Sequence, residues 1–361
     1  MKKILVLGCT GSIGTSTLEI VRNMGEQFKI CGLTAHTSED RLQSLCNYFE
    51  CPGILTSKTG VDGIATLIEQ TNPDIVVNGI AGAAGLLPSK IVLEHGKNLA
   101  LANKETVVMA WTLIQDLAEK NNALIIPVDS EHSALFNLMH HIKKENISNI
   151  IITASGGPFR TFSREDLESV TIEQTLAHPT WKMGKKITVD SATLANKGLE
   201  VIEAARLFHF QTEQIEVVVH PQSLIHSLVR TNDGMLYAQI SDPDMKHPIF
   251  SALTYPENQT PYMQPFDLFD HTMTFFKPRI NDFPMLEYAF EAAKKAKSYT
   301  IAYNAANEVA VHAFLEKKIT FTAIARIVRT VLDKDWTYTP KNFDEVFEQD
   351  KHARALAQEI I

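Results

Sequence analysis

Two short stretches hold many of the residues able to do chemistry, PVDSEHSA at 127–134 and ITVDSATLANKGLEVIEA at 187–204. Among them are the carboxylates Asp129, Glu131 and Glu200, the serines Ser130 and Ser191, and Asn196 with Lys197. Several carboxylate oxygens suit a hard divalent cation, and a hydroxyl–amide–ammonium set suits a phosphate. Asp129 and Glu131 are two positions apart, so a strand-like segment turns both carboxylates to one face. There they repel unless a cation or cationic partner joins them. Carboxylates without clustered histidine favour Mg²⁺ or Mn²⁺ over Zn²⁺. Glu200 follows Asn196 by four and Lys197 by three, which puts all three on one helix face. The plainer alternatives are a solvated turn for Asp129 and Glu131, and a surface ion pair for Lys197 and Glu200.

Other groups lie near these in sequence. Ser155-Gly156-Gly157-Pro158 follows an apolar run and has the composition of an anion-binding backbone nest. Ser191 precedes the helix that carries Asn196, so an N-cap is its alternative role. The segment 177–186, AHPTWKMGKK, has the Pro179, Trp181, Met183 and Gly184 of a mobile flap whose indole covers a ligand. Taken by itself, the segment reads better as a surface loop pinned by a buried tryptophan. His220, after another apolar run, is either structural or a further site residue.

A nucleotide site is expected at the start of the chain. Gly8, Gly11 and Gly14 stand between the apolar run ILVL and an amphipathic stretch. Such glycines allow a tight turn and leave helix N-terminal amides for a pyrophosphate, with Thr10 and Ser12 adding hydroxyls. NAD sites usually place a carboxylate after the second strand. This chain has His36, Thr37 and Ser38 there, which leans towards a 2′-phosphate and NADP. The small-residue loop GIAGAAGL at 79–86, which includes Ala81, allows a cofactor to lie flat on backbone. Asn103-Lys104-Glu105 sits at the carboxyl end of a strand, where open α/β sheets bind ligands.

The elements that must position these residues follow from periodicity. Runs at Lys3–Leu7, Lys29–Thr34, Gly53–Thr56, Ile75–Asn78, Leu99–Leu101 and Ala123–Val128 alternate with helical patterns, as in a Rossmann-like doubly wound sheet. Further strands are expected at Ile147–Thr153, Glu216–Val219, Ser227–Arg230 and Met235–Ile240, the last two joined through Asn232-Asp233-Gly234. Prolines 256, 261, 265, 278 and 284 mark a linker, and helical spacing follows from Met285. The expected α/β fold is therefore a nucleotide-binding domain at 1–128, an α/β catalytic domain at 129–254, a linker at 255–284 and a C-terminal α-helical domain at 285–361.

Bulk composition narrows the partners. A formal net charge of −8 argues against nucleic acid. The four cysteines, Cys9, Cys31, Cys46 and Cys51, form no CxxC pair and read as reduced thiols. The first apolar run, Ile4–Leu7, is shorter than the ~7–15 residues of a signal segment. With no run long enough for a membrane, a soluble, cytoplasmic protein is expected.

In family order, GCTGSIG, GAAGL, LANKE, PVDSEH, SGGPFR, HPTWKMGKKITVDSATLANKGLE, HPQSLIHS, PDM and NAANE closely resemble the 1-deoxy-D-xylulose 5-phosphate reductoisomerases across essentially the whole chain. The resemblance implies NADPH-dependent conversion of 1-deoxy-D-xylulose 5-phosphate to 2-C-methyl-D-erythrose 4-phosphate in isoprenoid precursor biosynthesis, usually by a homodimer. It implies Asp129, Glu131 and Glu200 as ligands of Mg²⁺ or Mn²⁺, and Ser155, Ser191, Asn196 and Lys197 as phosphate holders helped by His178. Lys104, Ser130 and Glu131 are then at the reacting part of the substrate, with Trp181 and Met183 in the lid. Thr10, Gly11, Ser12 and Ile13 lie against NADPH, with Ala81, Asn103, Lys104, Glu105 and Gly184 as further cofactor contacts. One departure stands out. Where the family often has a Gly-Lys-Asn-like patch, this chain has His36-Thr37-Ser38, without the lysine. Two other readings are a plain NADP-dependent sugar-phosphate dehydrogenase and a non-catalytic NADP-sensing protein.

Overall fold

The computed structural model describes all 361 residues. They divide into two compact units, Met1–Thr106 with Trp111–Ser133 and Asp244–Asp267, and Val107–Ala110 with Ala134–Pro243 and Leu268–Ile361.

The first unit is built on a parallel sheet of β1 (Lys2–Leu7), β2 (Phe28–Ala35), β3 (Gly53–Leu55), β4 (Ile75–Asn78), β5 (Asn98–Leu101) and β6 (Ile125–Pro127), in the order β3-β2-β1-β4-β5-β6. This is the Rossmann order. Its strands are apolar without alternation because helices cover both faces: Ile4, Leu5, Val6 and Leu7 are fully buried. The strand order reverses between β1 and β4, so the loops after these two strands flank the crevice where such sheets bind ligands. Helix Lys246–Thr254, expected within the catalytic domain, belongs to this unit instead. Its Phe250 ring meets Phe28 edge-on at 6.3 Å, and Lys246 Nζ lies 2.9 Å from Glu19 Oε1.

The second unit contains a mixed sheet of β7 (Ile147–Ala154), β8 (Ile215–Val219), β9 (Ile225–Thr231) and β10 (Leu236–Ile240), in the order β10-β9-β7-β8. Asp233 closes the expected hairpin by accepting from Thr231 Oγ1 at 2.5 Å and from the Met235 N–H at 3.2 Å. Gly234 takes φ +86°. The C-terminal region is all helical, as its spacing implies. Helix Phe321–Leu332 buries Ile324, Ile327, Val328 and Val331, one stripe at three- and four-residue steps. It does not form a core of its own. One apolar cluster runs from Ile150 and Val217 through Leu199 and Ile202 to Ala289, Tyr303 and Val328.

Helix Lys104–Lys120 is broken at Ala110, whose φ of −141° and ψ of 28° are not helical. At the break the Arg206 guanidinium donates to the carbonyls of Val107 at 2.6 Å and Val108 at 2.7 Å, and to Thr300 Oγ1 at 2.7 Å. Burial pulls its pKa down to about 10, so it stays charged at neutral pH. Removing it leaves carbonyl groups without a strong donor. Arg206→Met is expected to lower the free energy of unfolding by about 2–3 kcal/mol, measured by urea denaturation. A loss below roughly 0.5 kcal/mol would mean that water replaces the guanidinium.

Candidate active site

The loop after β1 is shaped by close approach. Gly8 has φ +77°, and a Cβ on Gly14 would lie 2.4 Å from the Gly8 carbonyl oxygen and 2.5 Å from Cys9 Cα. Only glycine lets the helix Ser12–Asn23 start this near the strand. Gly11 stands at its N-cap with no side-chain acceptor for the first amides. Those amides, beside Thr10, Ser12 and Ile13, fit an anion such as a pyrophosphate. His36, Thr37 and Ser38 are exposed at the end of β2, with His36 Nδ1 3.2 Å from Thr56 Oγ1.

Asn103 and Glu105 prove to be buried supports. The Asn103 amide donates to the carbonyls of Ile80 and Gly82 and to Glu105 Oε2, each at 2.9 Å, while its oxygen accepts from the Thr106 N–H at 2.9 Å. It therefore caps its own helix and ties down the loop that carries Ala81, which is exposed.

Lys104 points elsewhere. Its ammonium lies 2.6 Å from Asp129 Oδ2, and His132 Nδ1 is 3.6 Å from the same oxygen. Burial opposes ionisation of Asp129, but Lys104 together with His132 outweighs it and holds the carboxyl well below the usual range. The strand-like geometry expected for 129–131 is not what forms. The Ser133 N–H donates to the Asp129 carbonyl at 2.7 Å, so Asp129 heads the helix Ser130–His141 and Glu131 sits in its first turn. Glu131 Oε2 accepts from Ser130 Oγ at 2.6 Å. A helix also explains His132, which the sequence reading missed: three positions after Asp129 becomes adjacent only on a helix.

In the second unit, Ser155, His178 and Ser191 meet. His178 Nε2 is 3.0 Å from Ser155 Oγ and 3.1 Å from Ser191 Oγ. Its Nδ1 accepts from the N–H groups of Thr180 at 3.1 Å and Trp181 at 2.9 Å. That leaves the ring proton on Nε2, directed at the two hydroxyls. Gly156 and Gly157 have φ of +84° and +67°, and a Cβ on Gly157 would come within 2.9 Å of the Ser191 carbonyl oxygen. The glycines thus let the turn after β7 lie against Ser191. Ser191 is not an N-cap; it lies inside the helix Lys185–Thr193, whose N-cap is Gly184. Trp181, in the segment 177–186, has its ring 6.2 Å from that of His226.

Asn196, Lys197 and Glu200 do share a face of helix Ala195–Leu207: Asn196 Nδ2 donates to Glu200 Oε1 at 2.5 Å, and Lys197 pairs with Glu200 Oε2. Lys197 and Glu200 are buried, so the pair is not a surface one. A buried carboxylate of this kind fits a hard cation, and the ammonium beside it suits a phosphate oxygen. His220 is structural. Its Nε2 accepts from the Leu224 N–H at 3.2 Å, so Nδ1 carries the proton and donates to the Thr274 carbonyl at 2.9 Å.

Comparison with known proteins settles the lineage. Residues 4–59 and 54–111 match the family model of 1-deoxy-D-xylulose 5-phosphate reductoisomerase, and residues 125–208 and 240–356 match two of its C-terminal domain models. A reductoisomerase of this kind from Treponema denticola is 48% identical over 99% of this chain and 96% of its own length. The chain belongs to the 1-deoxy-D-xylulose 5-phosphate reductoisomerase family. The Treponema pallidum member is 44% identical over 100% of this chain and 98% of its own. Among solved members, one in complex with NADPH, fosmidomycin and magnesium superposes with a TM-score of 0.90 at 35% identity, over 99% of this chain and 98% of the other. The Zymomonas mobilis member with NADPH gives 0.88 at 37%, with the same coverage. No helix is long and apolar enough to cross a membrane.

Burial brings the His178 pKa down to about 4. An imidazole with a folded value below its unfolded value of about 6.5 binds protons more readily when the chain unfolds. Stability therefore rises with pH between those two values and is lost on acidification through them. Wild-type melting temperature is expected to fall more steeply than that of His178→Gln between pH 7 and pH 4.5. Parallel curves would remove His178 as the titrating group.

Proposed function

We propose that this chain is a cytoplasmic, homodimeric enzyme that rearranges and reduces 1-deoxy-D-xylulose 5-phosphate to 2-C-methyl-D-erythrose 4-phosphate, using NADPH and Mg²⁺ or Mn²⁺. The reading is carried by family membership along the whole chain. When bound, the cation supplies a Lewis acid for the carbonyl and neighbouring hydroxyl oxygens of the substrate, and NADPH supplies the hydride.

The chain's own residues do the rest. Asp129, Glu131 and Glu200 bind the cation, with Asp129 paired to Lys104 and Glu200 to Lys197. Ser155, Ser191, Asn196, Lys197 and the Nε2–H of His178 hold the phosphate. Binding energy at this end, remote from the carbons whose bond is cleaved and remade, orients the substrate. Lys104 and Ser130 stand at the reacting end, and Trp181 with Met183 exclude water. Thr10 to Ile13, Ala81 and Gly184 lie against NADPH, with His36, Thr37 and Ser38 meeting its 2′-phosphate. Asn103 and Glu105 act on the cofactor through the loop they hold. Support for the dimer comes from β10, an edge strand whose Leu236, Tyr237 and Ile240 are exposed beside Met235. An apolar, unpaired edge of this kind seeks a partner.

The purified protein is expected to oxidise NADPH with 1-deoxy-D-xylulose 5-phosphate, to stop when a chelator removes the metal, and to be inhibited by fosmidomycin. NADH run in parallel reads the grip of His36–Ser38 on the 2′-phosphate. Metal-independent oxidation would favour a plain sugar-phosphate dehydrogenase, and no oxidation by folded protein a sensor. Glu131→Gln should lower kcat by roughly three orders of magnitude, the scale of several kcal/mol of charge stabilisation, with NADPH affinity nearly unchanged. Equal loss of both would show that metal and cofactor residues are misassigned.

A further inference from the structure

The motif NAANE, residues 304–308, has no part in the chemistry above, yet Asn304 and Asn307 are fully buried. It lies in helix Tyr299–Leu315, far along the chain from the phosphate holders. Asn307 Nδ2 donates to Asp190 Oδ1 at 2.8 Å, and Lys186 Nζ lies 2.9 Å from Asp190 Oδ2. Asp190 is 0% exposed and immediately precedes Ser191. The same helix makes a second contact through the buried Tyr303, whose hydroxyl donates to the Met285 carbonyl at 3.0 Å. A Cβ on Gly198 would lie 2.6 Å from that hydroxyl, so Tyr303 packs directly on the helix that carries Asn196 and Lys197.

Between the two helices with the phosphate holders is Leu194, a non-glycine residue at φ +63°. A left-handed conformation is unfavourable for leucine and persists only where the surroundings impose it. Those surroundings are on either side of it. Thr193 Oγ1 donates to the Asp190 carbonyl at 3.2 Å and accepts from the Ala195 N–H at 3.3 Å. Asp190 is itself held by Asn307 and Lys186.

We propose that Asn307 is a positioning residue for the phosphate subsite: by anchoring Asp190 it fixes the left-handed turn at Leu194, and so sets Ser191 relative to Asn196 and Lys197. This rests on the phosphate role given above to those three residues. Asn307, fully buried, is assigned no contact with substrate or cofactor. It acts through a carboxylate that, buried and charged, must keep its donors.

The test follows inorganic phosphate binding by ³¹P NMR titration, with NADPH affinity and melting temperature measured alongside. Asn307→Leu is expected to weaken phosphate binding ten- to a hundredfold, the scale of losing one hydrogen bond to a charged group, with NADPH affinity within about twofold. In turnover, KM for the sugar phosphate should rise more than kcat falls. Asn307→Asp sets two carboxylates together and should weaken phosphate binding as well. Adding Asp190→Asn to it rebuilds the amide–carboxylate pair in reverse and should restore binding to within about threefold of wild type, an outcome that also decides the matter if Asn307→Leu does not fold. Unchanged phosphate binding in Asn307→Leu, or a double variant no better than Asn307→Asp, would overturn the inference and leave the phosphate site standing. Failure of the wild-type protein to bind phosphate would overturn both.

Discussion

Buried carboxylates must be matched by donors or cations, and this constraint organises both units. A carboxylate taken out of water without compensation costs several kcal/mol, so each one fixes the groups around it. Asp129 is matched by Lys104 and His132, Glu200 by Lys197 and Asn196, and Asp190 by Lys186 and Asn307. Two of these sets are proposed to meet the metal, and the third lies next to Ser191, one of the proposed phosphate holders. The same electrostatics thus serves chemistry in one place and scaffolding in another. The difference is that Asp190 has its amide and ammonium from within the fold, whereas Asp129 and Glu200 are also assigned an external cation.

Close approach of backbone is the second organising feature. Gly14 lets a helix begin against the carbonyl of Gly8, and Gly157 lets the turn after β7 rest on Ser191. In each case a methyl group would collide with main-chain atoms, which cannot rotate away as a side chain can. Helix amides or serine hydroxyls are presented as a result. Neutral His178 then contributes a directed donor without adding a charge. Its orientation comes from the backbone N–H groups of Thr180 and Trp181, so the conformation of that segment and the ring tautomer are linked.

Much of the fold was legible in the sequence. Apolar runs marked the six parallel strands, and the glycines between β1 and the first helix marked the close approach of helix to strand. The spacing of Asn196, Lys197 and Glu200 correctly put them on one helix face. Short segments were harder. Residues 129–131 alternate like a strand, but their backbone already turns into the helix that begins at Ser130, and His132 was overlooked for that reason. An N-cap stayed open as an alternative for Ser191 because the break at Leu194, a non-glycine in the left-handed region, leaves no mark in composition. Helix Lys246–Thr254 was placed with the wrong unit, because its apolar face shows only that it packs, not against what.

By itself the sequence determined the element types, the likeness to a doubly wound sheet and the inventory of carboxylates, hydroxyls and glycines proposed to meet metal, phosphate and nucleotide, since these depend on local periodicity and residue chemistry. Tertiary structure alone decided which groups neutralise one another. Lys104 with Asp129, Asn103 with the loop at 80–82, and Asn307 with Asp190 are pairings across long stretches of chain. They are fixed by packing and by the need to compensate buried charge, neither of which has a period that a sequence can display.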